Sequence, residues 1–382
     1  MPFLISMLTT AVPVQSPAPD EVYQPPRCFH DVCHRWMILV LGDHEIFATG
    51  FPRQLTSVRW FFDGNLGVRF FFTISGFLIT WLLLQEWKAT GAINLRNFYL
   101  RRCLRILPVF WAFLLTVWIV SCFVTGFQNS HSWVACLTFT RNTFGWDPIS
   151  AHLWSLSVEE QFYLFWPTCL LLLLARCHWR NLVAVVLLII LMAPVFRGAT
   201  EMVLFPEYPT AHPPTALVAW LAYILSIMAI KFISVADSLA FGWLAGVLLY
   251  QSPAAVRVRL TRRPGLAAGI ALLCIMVPHA ATHAVRTPTV LCVQLATSLQ
   301  ALGFSILLLQ SILIPKFAGY RALNWKPVIH LGVLSYSVYI WQQFFWGAPS
   351  GLGIDRFWWL GLWIPPLLAV VALSYYAMEA RS

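Results

Sequence analysis

Residues 66–84 read LGVRFFFTISGFLITWLLL, an apolar run that contains one charged residue, Arg69. A run of about 18 or more apolar residues with few charges is long enough to cross the hydrocarbon core of a bilayer as a helix. In lipid, a helix satisfies its own backbone hydrogen bonds, which an open strand cannot do. This stretch therefore predicts a transmembrane α-helix.

The whole chain shares this apolar composition. Of its 382 residues, 59% are hydrophobic and 10% are charged, whereas about 25% of the residues in a soluble domain are charged. A soluble globule must cover itself with polar surface, so its core cannot absorb this excess. An aromatic fraction of 15% excludes low-complexity disorder. We predict an all-α, polytopic transmembrane helix bundle.

Apolar runs recur along the chain, and basic residues cluster between them. The candidate spans are residues 36–51, 66–84, 104–124, 156–175, 182–196, 216–250, 265–277, 290–314, 328–346 and 357–376. The basic clusters are residues 96–105, 176–180, 257–263 and 316–326. Lys and Arg in short loops favour the cytoplasmic side, so an even number of crossings must separate consecutive clusters. Residues 216–250, although interrupted by Lys231 and Asp237, then cross once, which gives about ten spans with both termini inside.

Three stretches are predicted to lie outside the spans. Residues 1–27 are expected to form a flexible leader, and the Pro-rich stretch with Glu201 and Glu207 an extramembrane loop. The sequence CFHDVCH, residues 28–34, contains side chains of the kind that bind zinc, but its spacing fits no standard zinc motif. We therefore predict no metal site.

The net charge of +10 indicates the kind of partner to expect. In a membrane protein, Lys and Arg hold cytoplasmic loops against anionic headgroups, so membrane lipids are the expected partner. No basic stretch is interleaved with exposed aromatic residues, and we expect no nucleic acid. The nine cysteines lie mostly inside apolar runs and indicate no disulfide framework.

Ionisable residues inside or beside apolar spans are costly and suggest function. His44 lies between Asp43 and Glu45, where it can act as a general base or simply be hydrated at a helix end. Arg101, Arg102 and Arg105 lie at i, i+1 and i+4, so Arg101 and Arg105 share a helix face. Such a group anchors a cytoplasmic helix end, or it can bind the phosphates of a nucleotide.

The stretch HLWSLSVEEQFYLFWP, residues 152–167, contains two neighbouring glutamates. Ser157 and Glu160 have the spacing of a capping box, which predicts a helix start there. Glu159 and Tyr163 are one helical turn apart on one face. Glu159 can interact favourably with the helix dipole, orient a catalytic histidine, or bind a sugar hydroxyl. In residues 67–76, Gly67, Ser75 and Gly76 favour close helix packing.

Five stretches taken together are more specific than any one of them. They are GVRFFFTISGFLIT from Gly67, NFYLRRCLRILP from Asn97, HLWSLSVEEQFYLFWP from His152, VADSLAFGWLAGVLLY from Val235, and LGVLSYSVYIWQQF from Leu331. In the residues of these stretches and in their order, the chain resembles the membrane-bound acyltransferase family 3, the O-acetyltransferase-like family of bacterial envelope enzymes. The resemblance runs over residues 35–345, and we place the acyltransferase domain at residues 28–382.

The resemblance implies a multi-pass enzyme of the plasma (inner) membrane that uses acyl-CoA, with acetyl-CoA expected, as a co-substrate and holds no bound cofactor. The acceptor would be a hydroxyl of an envelope glycan, lipid or glycoside. His44 is the implied general base, Glu159 orients it or the acceptor, and the group Arg101, Arg102 and Arg105 binds CoA. The residues assigned to substrate binding are Arg69, Ser75, Tyr163, Asp237, Tyr339 and Gln342.

The sequence departs from the family pattern in three places. Arg35 and His44 have eight residues between them, where the family has ten, and this spacing puts them on opposite faces of an ideal helix. Gln342 stands where a histidine is common, and Arg69 where an acidic or amide residue is common. A catalytically silent relative therefore stays open as an alternative, as does a transporter or flippase for a lipid-linked glycan. The RRxxRxLP block argues against the transporter.

Overall fold

A computed structural model of the chain describes residues 64–123, 130–142, 148–176, 179–204, 217–284, 290–321, 325–352 and 364–379. This part of the chain is helical and contains no strand. The helices are α1 (Gly64–Thr90), α2 (Leu95–Phe123), α3 (Ser130–Leu137), α4 (Leu153–Arg176), α5 (Trp179–Leu204), α6 (Leu217–Gln251), α7 (Pro253–Thr261), α8 (Pro264–Ala284), α9 (Val290–Leu313), α10 (Lys326–Leu352) and α11 (Ile364–Ser374). Short 3₁₀ turns at Pro148–Ser150 and Ala318–Tyr320 and a π-turn at Tyr375–Glu379 complete these elements.

Among the described residues, 7 helices are long and apolar enough to cross a membrane. They are α1, α2, α4, α5, α6, α8 and α9. A shorter apolar segment covers Ile364–Met378. The predicted all-α polytopic bundle is confirmed, whereas the predicted total of about ten spans includes residues 36–51, which lie outside the described residues.

Helix α6 is continuous, and one local prediction on α5 needs correction. Residues 217–251 form one helix of 35 residues that contains Lys231 and Asp237. Among the residues whose side chains the structure describes, Phe232–Gln251 is a candidate membrane span. Helix α5 continues to Leu204, which places Glu201 in a helix and not in the predicted loop.

The predicted capping box in α4 is also wrong. The helix begins at Leu153, so Ser157 lies in its second turn. The Ser157 hydroxyl donates to the carbonyl of Leu153 at 3.0 Å and accepts the backbone N–H of Arg141 at 3.2 Å. A serine inside a helix can bond to the preceding turn in this way. The serine therefore fixes the segment before α4 and does not begin the helix.

The chain divides into two compact units. The first contains α2, α10 and α11, and the second contains α1 from Val68 onward together with α3 to α9 as far as Gln310. In the first unit, the Tyr336 hydroxyl on α10 donates to the carbonyl of Ile106 on α2 at 2.8 Å. The rings of Phe113 and Trp341 meet edge to face at 5.7 Å. These contacts pack α10 against the stretch of α2 that carries Arg105.

The second unit is built on close contact between α1 and α6. A Cβ added at Gly76 would collide with the carbonyl of Leu239, and one added at Gly242 with the carbonyl of Thr73. At Gly246 it would lie 3.3 Å from the Phe77 carbonyl. Small residues let membrane helices approach at backbone distance, where dispersion contacts are densest. Gly242 and Gly246 thus form a small-residue face that receives α1.

Helix directions in the second unit follow from the order of these contacts. Positions 73 and 77 of α1 meet positions 242 and 246 of α6, so the two helices are parallel. Ser75 and Thr80 of α1 bond to Glu159 and Trp166 of α4, which is therefore parallel to them as well. Parallel neighbours agree with the even number of crossings that the basic clusters predict.

Candidate active site

A buried chain of hydrogen bonds joins α1 to α4 in the second unit. The Ser75 hydroxyl donates to Glu159 Oε1 at 2.7 Å, and the Tyr163 hydroxyl donates to Ser75 Oγ at 3.4 Å. All three side chains are buried. One turn separates Glu159 from Tyr163, so the parallel packing of α4 on α1 brings both to Ser75. These three predicted site residues are the ones that the structure brings together.

The position of Glu159 is energetically costly without such partners. A carboxylate loses much hydration energy when it is buried in an apolar helix bundle, and hydrogen-bond donors offset part of that loss. Glu159 is 5% exposed, and Ser75 directs a hydroxyl at one of its oxygens. The Trp166 indole N–H bonds to the Thr80 hydroxyl at 2.9 Å one to two turns further on, which fixes the register of the two helices.

A second polar cluster joins α5, α6 and α9. Arg197 pairs with Asp237, with Nη2 at 2.9 Å from Oδ2. The guanidinium also donates to the Gln294 side chain at 3.1 Å and to the carbonyls of Ser234 and Gln294, each at 2.6 Å. Its Nη2 further lies 3.1 Å from Ser298 Oγ. This cluster ties three helices together.

The sequence reasoning assigned Asp237 to substrate binding and did not identify Arg197. The structure places both Asp237 oxygens in hydrogen bonds inside the protein. Oδ2 accepts from Arg197 and, at 2.5 Å, from Ser298, while Oδ1 accepts the Ser238 N–H at 2.9 Å. The sequence did contain a signal for this pair. Each of the apolar runs 181–198 and 232–251 carries one charged residue, and the two charges have opposite sign. Charged residues inside membrane helices tend to pair with one another.

Arg69 lies on α1, near the entry to its apolar run. Its guanidinium donates to the side-chain oxygen of Gln300 on α9, and the tilted rings of Phe70 and Phe304 lie nearby with centroids 4.7 Å apart. Gln300 follows Ser298 by two residues, so one helix contributes to both the Arg69 contact and the Asp237 cluster. The acceptor described for Arg69 is thus a neutral amide.

The remaining described candidates belong to the first unit. On α2, Arg105 is buried, Arg101 and Arg102 are half-buried, and Arg102 lies 5.9 Å from the Phe98 ring centroid, in cation–π contact. On α10, Gln342 is buried and Tyr339 is half-buried. The burial of Arg105 distinguishes it from an ordinary surface anchor, because a guanidinium in an apolar helix needs local partners.

Several predicted features lie outside the described residues. They are His44 with its flanking carboxylates, Arg35, the leader, and the CFHDVCH stretch. Their roles stay predictions.

Comparison with known proteins identifies the family. A family described as an acyltransferase domain matches residues 36–378. A protein named "Putative O-acetyltransferase SAS0844" from Staphylococcus aureus strain MSSA476 is 34% identical over 161 residues, which are 38% of this chain and 26% of that protein. O-acetyltransferase OatA from Staphylococcus aureus strain NCTC 8325 / PS 47 is 34% identical over 155 residues, which are 36% of this chain and 25% of that protein.

These matches cover only about a quarter of the relatives' own length. No solved structure matches the chain. The family match, in contrast, extends over nearly the whole sequence and contains every predicted site residue. The chain belongs to the acyltransferase family defined by this domain.

Proposed function

We propose that this protein is a multi-pass O-acyltransferase of the plasma (inner) membrane. It transfers an acyl group, with acetyl the first candidate, from cytoplasmic acyl-CoA to a hydroxyl of an envelope glycan, lipid or glycoside. Family membership and relatives named O-acetyltransferases support the reaction class. The observation that carries the proposal is the buried Tyr163–Ser75–Glu159 chain, in which a carboxylate is held at a fixed orientation inside the bundle.

In the proposed reaction, the acceptor oxygen attacks the thioester carbonyl of acyl-CoA. A C–O bond forms, the C–S bond breaks, and the hydroxyl proton passes by way of His44 to the thiolate, which leaves as CoA–SH. A general base contributes about 10²- to 10⁴-fold when its pKa lies near the working pH. Glu159, a carboxylate fixed by Ser75, orients His44 or the acceptor hydroxyl.

The donor requires a separate binding surface, because CoA carries several phosphate charges. Arg101, Arg102 and Arg105 offer guanidinium groups at positions i, i+1 and i+4 of one helix, and guanidinium forks bind phosphate with two hydrogen bonds each. The burial of Arg105 is consistent with a pocket that receives the donor. Either Arg69 or Tyr339 would stabilise charge that develops on the carbonyl oxygen.

Membranes that contain the full chain test the proposal when they are incubated with radiolabelled acetyl-CoA. We expect label in an ester that mild alkali releases, carried by a glycan, lipid or glycoside. His44→Ala should abolish this label while the protein stays in the membrane. Acceptor transport without label would support the transporter instead, and full labelling by His44→Ala would remove His44 from the mechanism.

A further inference from the structure

The connection between α6 and α8 carries a concentrated positive charge. It consists of the short helix α7 and the turn that follows, residues 253–264, which we call the basic elbow. Four arginines lie on it, and all four are exposed: Arg257, Arg259, Arg262 and Arg263. No residue of α7 is buried. The elbow lies between the spans Phe232–Gln251 and Pro264–Thr282, so it is located at the membrane boundary.

The sequence supplies no local counter-charge to this elbow. No Asp or Glu occurs between Asp237 and Asp355. Asp237 itself is bound to Arg197 inside the protein. Four like charges on one short, exposed segment create a positive potential that attracts anions. The elbow is therefore a candidate surface for an anionic partner.

A buried glutamine holds the elbow in place. Pro264 has no N–H, so the carbonyl of Leu260, one turn earlier, lacks its usual helical donor. The Gln310 side chain on α9, which is fully buried, supplies that donor. Its Nε2 lies 3.0 Å from the Leu260 oxygen and 3.0 Å from the Pro264 oxygen. The bend between α7 and α8 is consequently fixed by α9, and the backbone that carries the arginines has a defined conformation.

The chemistry of α7 favours a lipid over a soluble anion. Apolar residues alternate with the arginines, and Val258 between Arg257 and Arg259 is 60% exposed. Leu266, just past the elbow, is 57% exposed. Binding of a soluble phosphate would not require an exposed valine between two arginines. At the interface, however, apolar side chains enter the acyl boundary while guanidinium groups stay among the headgroups.

We propose that the basic elbow binds anionic phospholipid headgroups, with the four guanidinium groups on the lipid phosphates and Gln310 fixing their geometry. Each basic residue near an anionic surface strengthens binding, and guanidinium–phosphate pairs add bidentate hydrogen bonds. The residues of this site differ from the α2 arginines that the proposed function assigns to the acyl donor.

Native mass spectrometry of the delipidated full chain tests the proposal. The probes are dioleoyl phosphatidylglycerol and dioleoyl phosphatidylcholine, each titrated in detergent. In the variant Arg257→Gln, Arg259→Gln, Arg262→Gln, Arg263→Gln, we expect the apparent Kd for phosphatidylglycerol to rise at least about tenfold while phosphatidylcholine binding is unchanged. The four side chains are exposed, so their replacement leaves the helix packing intact.

A matched variant removes four exposed charges from other basic clusters: Arg176→Gln, Lys316→Gln, Arg321→Gln, Lys326→Gln. It should change the phosphatidylglycerol Kd by less than about twofold; an equal loss in both variants would mean that only total charge matters and would overturn the site. Displacement of bound phosphatidylglycerol by acetyl-CoA or inorganic phosphate would overturn the lipid assignment. Gln310→Leu should weaken phosphatidylglycerol binding, and unaltered binding would overturn the role of the glutamine.

Discussion

Glu159 is the residue on which the proposed chemistry depends most directly. Glu159→Gln keeps the side-chain shape and one oxygen for the Ser75 hydroxyl, but removes the negative charge. We expect acyl transfer to fall about 10²-fold or more, because a neutral amide cannot stabilise a protonated histidine. The measurement is the initial rate of labelled acetyl transfer in membranes with equal amounts of protein.

Glu160→Gln is the matched control for this experiment. Glu160 is the next residue in α4, has the same charge, and is half-buried. A fall in rate of similar size in both variants would mean that the loss reflects helix charge, and Glu159 would have no special role.

The Arg197–Asp237 pair should contribute to the stability of the folded protein. Removing one partner leaves a buried charge without compensation, which costs about 3–5 kcal/mol. We therefore expect Arg197→Met alone to lower the unfolding temperature markedly. The double variant Arg197→Met, Asp237→Leu should recover much of that loss, because apolar side chains of similar volume fill the same space and leave no buried charge unpaired.

Thermal unfolding of the purified protein in detergent, followed by intrinsic fluorescence, measures both variants. Equal losses in the single and double variants would contradict a direct pairing. Recovery in the double variant without recovery of acyl transfer would give Asp237 a function in addition to its structural one.

At the scale of helices, the α1–α6 contact depends on the absence of a side chain at Gly242. Gly242→Ala places a methyl group against the Thr73 carbonyl, and overpacking of this kind costs about 1–3 kcal/mol or more. Gly269→Ala in α8 meets nothing within 4 Å, so its better helix propensity should leave stability unchanged or raise it by up to about 1 kcal/mol. Unfolding midpoints of the two variants compare the same substitution in two environments. A stable Gly242→Ala protein would contradict the close packing.

Sequence reasoning found the helices because their apolar length is a strong signal, as residues 66–84 show. It also paired Glu159 with Tyr163 correctly, since a one-turn spacing fixes a shared face. It could not find Ser75 as their common partner, because the register between α1 and α4 depends on packing far apart in sequence. The prediction of a capping box was wrong for a related reason. Ser157 bonds within α4 and to the backbone of Arg141, and the second contact cannot be predicted from residue spacing within α4.

For the whole molecule, the helix directions predict which ends face the same side of the membrane. Helices α1, α4 and α6 are parallel in the second unit. The beginning of α4 therefore faces the side opposite to the end of α6. Ala151, just before α4, and Ser252, just after α6, are both exposed and mark those two sides. Because Arg257 to Arg263 follow Ser252, the positive-inside rule assigns Ser252 to the cytoplasm.

Single cysteines at these positions, in a background without the native cysteines, test that orientation in intact cells. A membrane-impermeant maleimide should label Ala151→Cys directly, whereas Ser252→Cys should need permeabilised cells. The positive-inside rule makes the same prediction for the Arg101–Arg105 end of α2, and the proposed function needs that end on the cytoplasmic side, where acyl-CoA is present. Direct labelling of Ser252→Cys with protection of Ala151→Cys would reverse the orientation assigned to α4 and α6.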